Sequence, residues 1–448
     1  MSKKTLALVA TIIGSGVVFL DGTIVNLALP KISVGLHAHF SDLQWIADGY
    51  LLSLSSLILL GGSLGDIFGR KRIYLIGLAG FGIVSLICGL SPNVNFLITF
   101  RLLQGIFGAL LVPGGLAIIN TNFSRQERGA AIGTWSAWSG ILAAIGPLVG
   151  GYIIDAISWR WIFFINIPLI IACGLLTLRN VDESRDEPAR KVDVRGAFLC
   201  ALALAGITYG LIEGPVVKWG TRAVVPLVLG FVFAGAFLWF ESRQKDPMVN
   251  LSLFRSRNFS GSNIMTFAMY GALAGFMFSL VIYMQTKLGY SAIKAGASLL
   301  PVSIILLLFS RRIGGLSSKF GPRLFMTAGP LIAAAGILSL VNYWQGDSYW
   351  FFLLPRVLLF SIGLVLLVAP LTTTVMTAVD ESSSGIASGI NNAVSRIAGL
   401  VVIALLGLFG TDHIFRFGMV LCGLLAASAG LISYLTIQNR PKPLKVTD

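Results

Sequence analysis

Charge is what this 448-residue sequence has little of. Asp, Glu, Lys and Arg make up 12% of it, against 56% hydrophobic residues, where a soluble chain carries about 25% charged residues. That deficit excludes an ordinary globular enzyme with one apolar core. Histidine is nearly missing: there are three, and His37 and His39 fall together between two apolar runs. The four cysteines, Cys88, Cys173, Cys200 and Cys422, all lie inside apolar runs, with neither metal-ligand spacing nor a loop suited to a disulfide. They read as packing residues, and no metal site is expected. The sequence also lacks a G-x-x-x-x-G-K-[ST] phosphate loop and any hydrophilic stretch long enough for a nucleotide-hydrolysing domain. An enzyme is not expected, and no cofactor is.

What remains is a series of long apolar runs, which read as membrane spans. At roughly 30 residues per span with its connection, the length accommodates about fourteen. The expected spans are 6–29, 44–62, 73–90, 94–116, 130–151, 161–178, 196–213, 224–240, 259–284, 296–310, 325–343, 350–374, 386–409 and 415–437. The first run is too long for a signal-peptide core and has no A-x-A cleavage site, so it reads as a retained span. The net charge of +14 would suggest nucleic acid in a soluble protein. Here Lys and Arg gather in alternate loops, which places both termini in the cytoplasm and excludes a nucleic-acid partner.

The two ends of the chain repeat one another. Gly61-Gly62-Ser63-Leu64-Gly65-Asp66-Ile67-Phe68-Gly69-Arg70-Lys71-Arg72 follows the second span, and Gly314-Gly315-Leu316-Ser317-Ser318-Lys319-Phe320-Gly321-Pro322-Arg323 follows the tenth. Arg101 precedes Gly108 by seven residues, as Arg356 precedes Gly363. Two six-span repeats leave the seventh and eighth spans as an inserted pair. The expected division is 1–180, 181–245 and 246–448: a six-helix bundle, a cytoplasmic linker with two inserted helices, and a second six-helix bundle. Residues 179–195 mix both charges and read as a flexible, solvated linker. Internal duplication around a midplane site is a common plan for secondary transporters.

Ionisable residues inside spans are costly and mark function by default. Asp21 lies roughly 12 Å from the outer end of the first span, and Arg101 roughly 10 Å into the fourth from the same side. Equal depth makes them partners, either as a proton-linked pair or as a static ion pair. Asp48, about four residues into the second span, either reaches the outer interface or serves as a second acidic site. Arg396 falls mid-span beside Asn391, Asn392 and Ser395, so it faces a cavity or the bundle interior. Met265, Met269 and Phe276 recur at helical spacing, and Trp135 and Trp138 share a face of the fifth span. Such Met and aromatic faces either line a pocket for varied apolar ligands or are ordinary packing. Asn26 and Gln104 complete the candidate cavity residues.

These segments together resemble the major facilitator superfamily, and within it the fourteen-span drug:proton antiporters. The motif at 61–72 is similar to that superfamily's loop between spans 2 and 3, with Gly61, Gly65, Asp66, Gly69, Arg70 and Arg72 in its positions. Leu20-Asp21-Gly22-Thr23-Ile24-Val25-Asn26-Leu27-Ala28-Leu29-Pro30 resembles the branch's first-span motif. Arg101-Leu-Leu-Gln-Gly105 resembles the fourth-span motif, whose arginine is implicated in proton coupling. Gly146-Pro147-Leu-Val-Gly150-Gly151 resembles the antiporter motif, and Ser158-Trp-Arg-Trp-Ile-Phe-Phe-Ile-Asn-Ile-Pro168 is also typical of the branch. The second-half loop departs from the pattern, with Ser318 where the first has Asp66, and Thr411-Asp412-His413 is a short link before the last span.

The resemblance implies an all-α membrane protein with the major facilitator fold: two six-helix bundles, two inserted helices and 14 spans. It implies a monomer in a bacterial inner membrane, exchanging protons for small amphipathic, often cationic compounds. Asp21, Arg101 and Asp48 would couple the proton. Asp66, with Arg70, would cap a helix and latch the cytoplasmic side. Two other readings stand beside it: an exporter dedicated to one metabolite of the cell, and a membrane sensor that transports nothing.

Overall fold

A computed structural model describes residues 2–185, 193–244, 247–343, 347–380 and 384–439. These residues form helices α1 (Lys3–Leu36), α2 (Phe40–Phe68), α3 (Arg70–Gly89), α4 (Val94–Asn122), α5 (Arg125–Ala156), α6 (Trp161–Phe164), α7 (Asn166–Asn180), α8 (Val194–Val216) and α9 (Thr221–Glu241). The second part adds α10 (Arg257–Thr286), α11 (Ala292–Ser298), α12 (Leu300–Phe320), α13 (Pro322–Leu338), α14 (Leu354–Thr377), α15 (Ser384–Leu406) and α16 (Gly410–Thr436). No β-strand occurs among the described residues. That follows from the apolar surroundings: a helix satisfies every backbone group within its own segment, whereas an open strand edge cannot.

Thirteen helices among the described residues are long and apolar enough to cross a membrane, and the protein is multi-pass. The expected eleventh span is the exception. It is carried by the shorter α13, which stops at Leu338 and turns at once. The helix starts follow local chemistry. Asn93 accepts from the Phe96 N–H at 2.9 Å, Asp193 from the Gly196 N–H at 2.8 Å, and Ser124 with Glu127 forms a reciprocal cap on α5.

The chain divides into two compact units, Met1–Met248 with Tyr290–Ala297, and Val249–Gly289 with Ser298–Asp448. In the first, α1 packs on α5 and α7, α2 on α4, and α3 on α4 and α7. In the second, α10 packs on α15 and α16, α12 on α14, and α13 on α14 and α16. The two sets correspond pair by pair, as the repeated motifs require. The inserted helices α8 and α9 pack on each other, and α8 also on α2. Their apolar outer residues, Phe231, Val232 and Trp239 among them, stay exposed, as suits a lipid-facing surface.

The loop between α2 and α3 shows why its glycine is fixed. Gly69 has φ +105°, and a Cβ there would press on the Glu183 carboxylate at 2.7 Å. Glu183 accepts from the backbone N–H groups of Lys71 at 3.0 Å and Arg72 at 3.1 Å. Asp66 was expected to cap a helix start and to pair with a nearby arginine; it pairs with Arg70 at 2.7 Å, while Glu183 supplies the cap on α3. A second correction follows. Residues 182–184 are anchored rather than free, since Lys3 also binds Asp182 at 2.7 Å and Ser184 accepts from the Arg70 N–H at 2.9 Å. Lys3 thereby holds the exposed Asp182 carboxyl below its ordinary range. The linker residues Asp186, Glu187, Arg190 and Lys191 lie outside the described residues.

Candidate functional site

The strongest polar feature lies inside the first unit, where one charged and two neutral donors converge on one carboxylate. Asp21 sits in the middle of α1, 1% exposed, and Arg101 in the second turn of α4, also 1% exposed. Arg101 Nη1 donates to Asp21 Oδ2 at 2.5 Å and to Gln104 Oε1 at 2.6 Å. Its Nε donates to the Ile46 carbonyl at 3.1 Å, and its guanidinium lies 4.3 Å from the Tyr50 ring. The other carboxylate oxygen, Asp21 Oδ1, accepts from Gln104 Nε2 at 3.0 Å and from Asn166 Nδ2 at 3.1 Å. Ser85 Oγ accepts from the same two amides, at 2.8 and 3.3 Å. Three donors therefore converge on the Asp21 carboxyl oxygens. A buried pair of this kind contributes little net stability, but losing one partner leaves an uncompensated charge.

Asp48, on α2 of the same unit, is the opposite case. It is fully buried, and neither carboxylate oxygen has a hydrogen-bond partner. A carboxylate buried without a partner is costly when ionised.

The antiporter motif works by close approach. The α5 helix continues through Pro147 without a break. Gly146 faces Thr23, Gly150 faces Ile24, and Gly151 lies against the backbone of Ile293, each close enough that a Cβ would fall within 2.7 Å of a neighbour. Near the end of α5, the Asp155 carboxylate accepts from the Ala292 and Ile293 N–H groups at 3.1 and 2.8 Å. Those residues belong to the first unit.

The other expected cavity residues are divided between the two units. Met265, Met269 and Phe276 are completely buried within the second unit, and Phe276 packs on Phe360 with ring centres 4.6 Å apart. Trp135 is buried and donates to Ser15 Oγ at 3.1 Å, whereas Trp138 is 55% exposed. The two stand three residues apart, about 60° around the helix, and differ in how far they are covered. Asn26 and Asn392 are half-buried. Asn391 donates to Asn263 Oδ1 at 3.1 Å and to Thr266 Oγ1 at 2.8 Å. Arg396 is half-buried one turn further along α15, close enough to Tyr270 for its charge to act there. Among the described residues there is no cluster of ligating side chains fit for a metal.

Asn166 and Ser85 were not among the sequence candidates, which took neutral polar residues only beside a charged one or within the first-span motif. The clue available was position: Asn166 stands two residues before Pro168, where α6 ends and α7 begins.

Sequence and structure comparisons bear on this arrangement. Residues 11–403 and 264–447 match the Major Facilitator Superfamily. The tetracenomycin C resistance and export protein of Streptomyces glaucescens is 33% identical over 91% of this chain and 76% of its own length. The puromycin resistance protein of Streptomyces alboniger is 34% identical over 91% of this chain and 82% of its own. A crystal structure of the peptide transporter POT in complex with sulfate superposes with TM-score 0.73 at 15% identity, covering 97% of this chain and 98% of that one, which is a likeness of fold alone. With its repeated packing, its motif glycines at close contacts and matches over nearly its whole length, the chain belongs to the major facilitator superfamily.

Proposed function

We propose that this protein is a proton-coupled antiporter that exports small amphipathic or lipophilic, often cationic, compounds by alternating access. It works as a monomer in a bacterial inner membrane with both termini in the cytoplasm, the orientation that the Lys and Arg distribution favours. Drug export is the reading that resistance proteins a third identical to this chain support. Proton coupling rests on one observation: two buried carboxylates in one unit, Asp21 held by Arg101 and Asp48 without a partner.

The chemistry follows from that difference. While Arg101 and the two amides hold Asp21, it stays ionised. Any movement that draws Arg101 away leaves a desolvated carboxylate, which takes up a proton. Asp48 is already buried without a hydrogen-bond partner. A cationic substrate that pairs with either carboxylate displaces a proton, so substrate and proton compete. That competition is the requirement for exchange, and the coupling is reciprocal. The Asp66–Arg70 pair and the Glu183 cap fix the loop that latches the cytoplasmic side.

A second reading, an exporter dedicated to one metabolite with an acidic group, is favoured by Arg396. Its charge lies mid-span on α15. Efflux of a panel of cationic, neutral and acidic compounds, puromycin included, from energised vesicles separates the two. Accumulation of cationic members that collapses on adding a proton uncoupler is the expected result. Accumulation indifferent to the uncoupler overturns the antiport reading, and transport restricted to acidic members favours the second.

A further inference from the structure

Asn166 shows an orientation that a purely structural amide has no reason to adopt. Its Nδ2 donates to Asp21 Oδ1 at 3.1 Å and to Ser85 Oγ at 3.3 Å. Its own carbonyl oxygen, Oδ1, is left buried with no hydrogen-bond partner, while the whole residue has no solvent exposure. An orphaned buried acceptor is destabilising. Turning the amide over would give that oxygen the Ser85 hydroxyl as a donor, but would set it against an ionised Asp21. As it stands, the amide donates to the carboxyl group, an arrangement that favours its charged form.

We infer that Asn166 is a positioning residue that sets the pH at which Asp21 takes up its proton. This rests on the reading of Asp21 as a proton-linked carboxylate. Asn166 supplies one of three hydrogen bonds to the charged form, beside Arg101 and Gln104. Unlike those two, it comes from a different span and from the first residue of a helix. The short break at Ile165 separates α6 from α7, and Pro168 in the first turn of α7 carries no N–H. Any shift of α7 against α1 changes this bond without breaking the Arg101 pair. When Asp21 is protonated, a turned amide can accept from both the carboxyl O–H and the Ser85 hydroxyl, so Asn166 can serve either state. The other titratable groups facing this site are Arg101 of α4 and Cys88 of α3, whose thiol lies within reach of both charges. Tyr50 of α2 donates to the Val18 carbonyl, and Tyr74 of α3 contacts Cys173 further along α7.

The sign is fixed by the bond. Removing a donor to the ionised form raises proton affinity, so the midpoint of Asp21 protonation moves to higher pH. A hydrogen bond to a charged group corresponds to about tenfold in affinity, or about one pH unit. The test needs no substrate: an infrared pH titration of the purified protein, comparing wild type, Asp21→Asn and Asn166→Leu. The carboxyl band absent from Asp21→Asn belongs to Asp21. In Asn166→Leu that band is expected to titrate about one pH unit higher, and Asn166→Gln to return part of the shift. A band that titrates at the wild-type pH in Asn166→Leu overturns the inference while leaving Asp21 as the proton site. A band pattern unchanged in Asp21→Asn overturns the proton reading itself. Should Asn166→Leu not fold, the pair Asn166→Ser and Asn166→Ala asks the same question: the alanine variant must titrate higher than the serine variant, and equal midpoints overturn the inference.

Discussion

Arg101 and Arg356 stand at matching places in the two repeats, yet their surroundings differ. Arg101 is buried against Asp21, with Gln104 and a backbone carbonyl completing its bonds. Arg356 is half-buried, donates to the Ser339 and Phe352 carbonyls at 3.1 and 2.7 Å, and lies 3.6 Å from the Phe352 ring. The helix scaffold is duplicated, but the charge chemistry is kept in one copy. The loops teach the same lesson. Gly321 has φ +88° and abuts Asn439, which accepts from the Arg323 N–H at 3.1 Å. That is the place of Gly69 and Glu183 in the first unit, with a neutral amide for the carboxylate. Backbone geometry has been conserved between the copies where a glycine and a cap require it, and ionisable groups have not.

The comparison breaks most sharply at the arginines. Arg101→Met strands a buried carboxylate and is expected to cost about 3–5 kcal/mol, whereas Arg356→Met loses two bonds to backbone carbonyls and costs about 1 kcal/mol. Thermal melting of the two variants in detergent checks this; equal losses would mean that Asp21 finds its stability elsewhere. At the loops, Glu183→Gln makes the first resemble the second and is expected to cost about 0.5–1 kcal/mol through the weakened charge at the start of α3. Asn439→Asp should gain a similar amount at the start of α13. Opposite signs from these two in the same melting assay sharpen the comparison, and identical signs contradict it.

The smallest effect belongs to the Lys3–Asp182 pair, which is exposed on both sides. Its contribution is present above the ordinary carboxylate value of about 3.9 and is lost as pH falls through the lowered value that Lys3 imposes on Asp182. Lys3→Met should therefore melt slightly below wild type at neutral pH and together with it in strong acid. A difference that persists in acid would assign the contact to packing rather than charge.

Much of this was legible before any coordinates. Hydropathy alone delivers the spans, because a helix in lipid must be long and apolar. Depth arithmetic on Asp21 and Arg101 delivers their pairing, because one rise per residue fixes where each charge lies. Asn166 and Ser85 were harder to single out: an uncharged polar residue is cheap enough in a span that its presence does not by itself mark a partner. Glu183 was hidden by its neighbours, since a run of mixed charge reads as solvated until a helix start is seen to use one member. The Met265, Met269 and Phe276 stripe is buried, and spacing alone cannot tell a pocket wall from a core.

The central claim is that Asp21 carries the proton exchanged for substrate. Its most direct test is substrate-dependent proton movement in vesicles reconstituted with wild type or Asp21→Asn, using whichever compound the wild type transports. The account predicts that proton movement is lost in Asp21→Asn while the protein remains folded and inserted. Wild-type proton movement in that variant would contradict it.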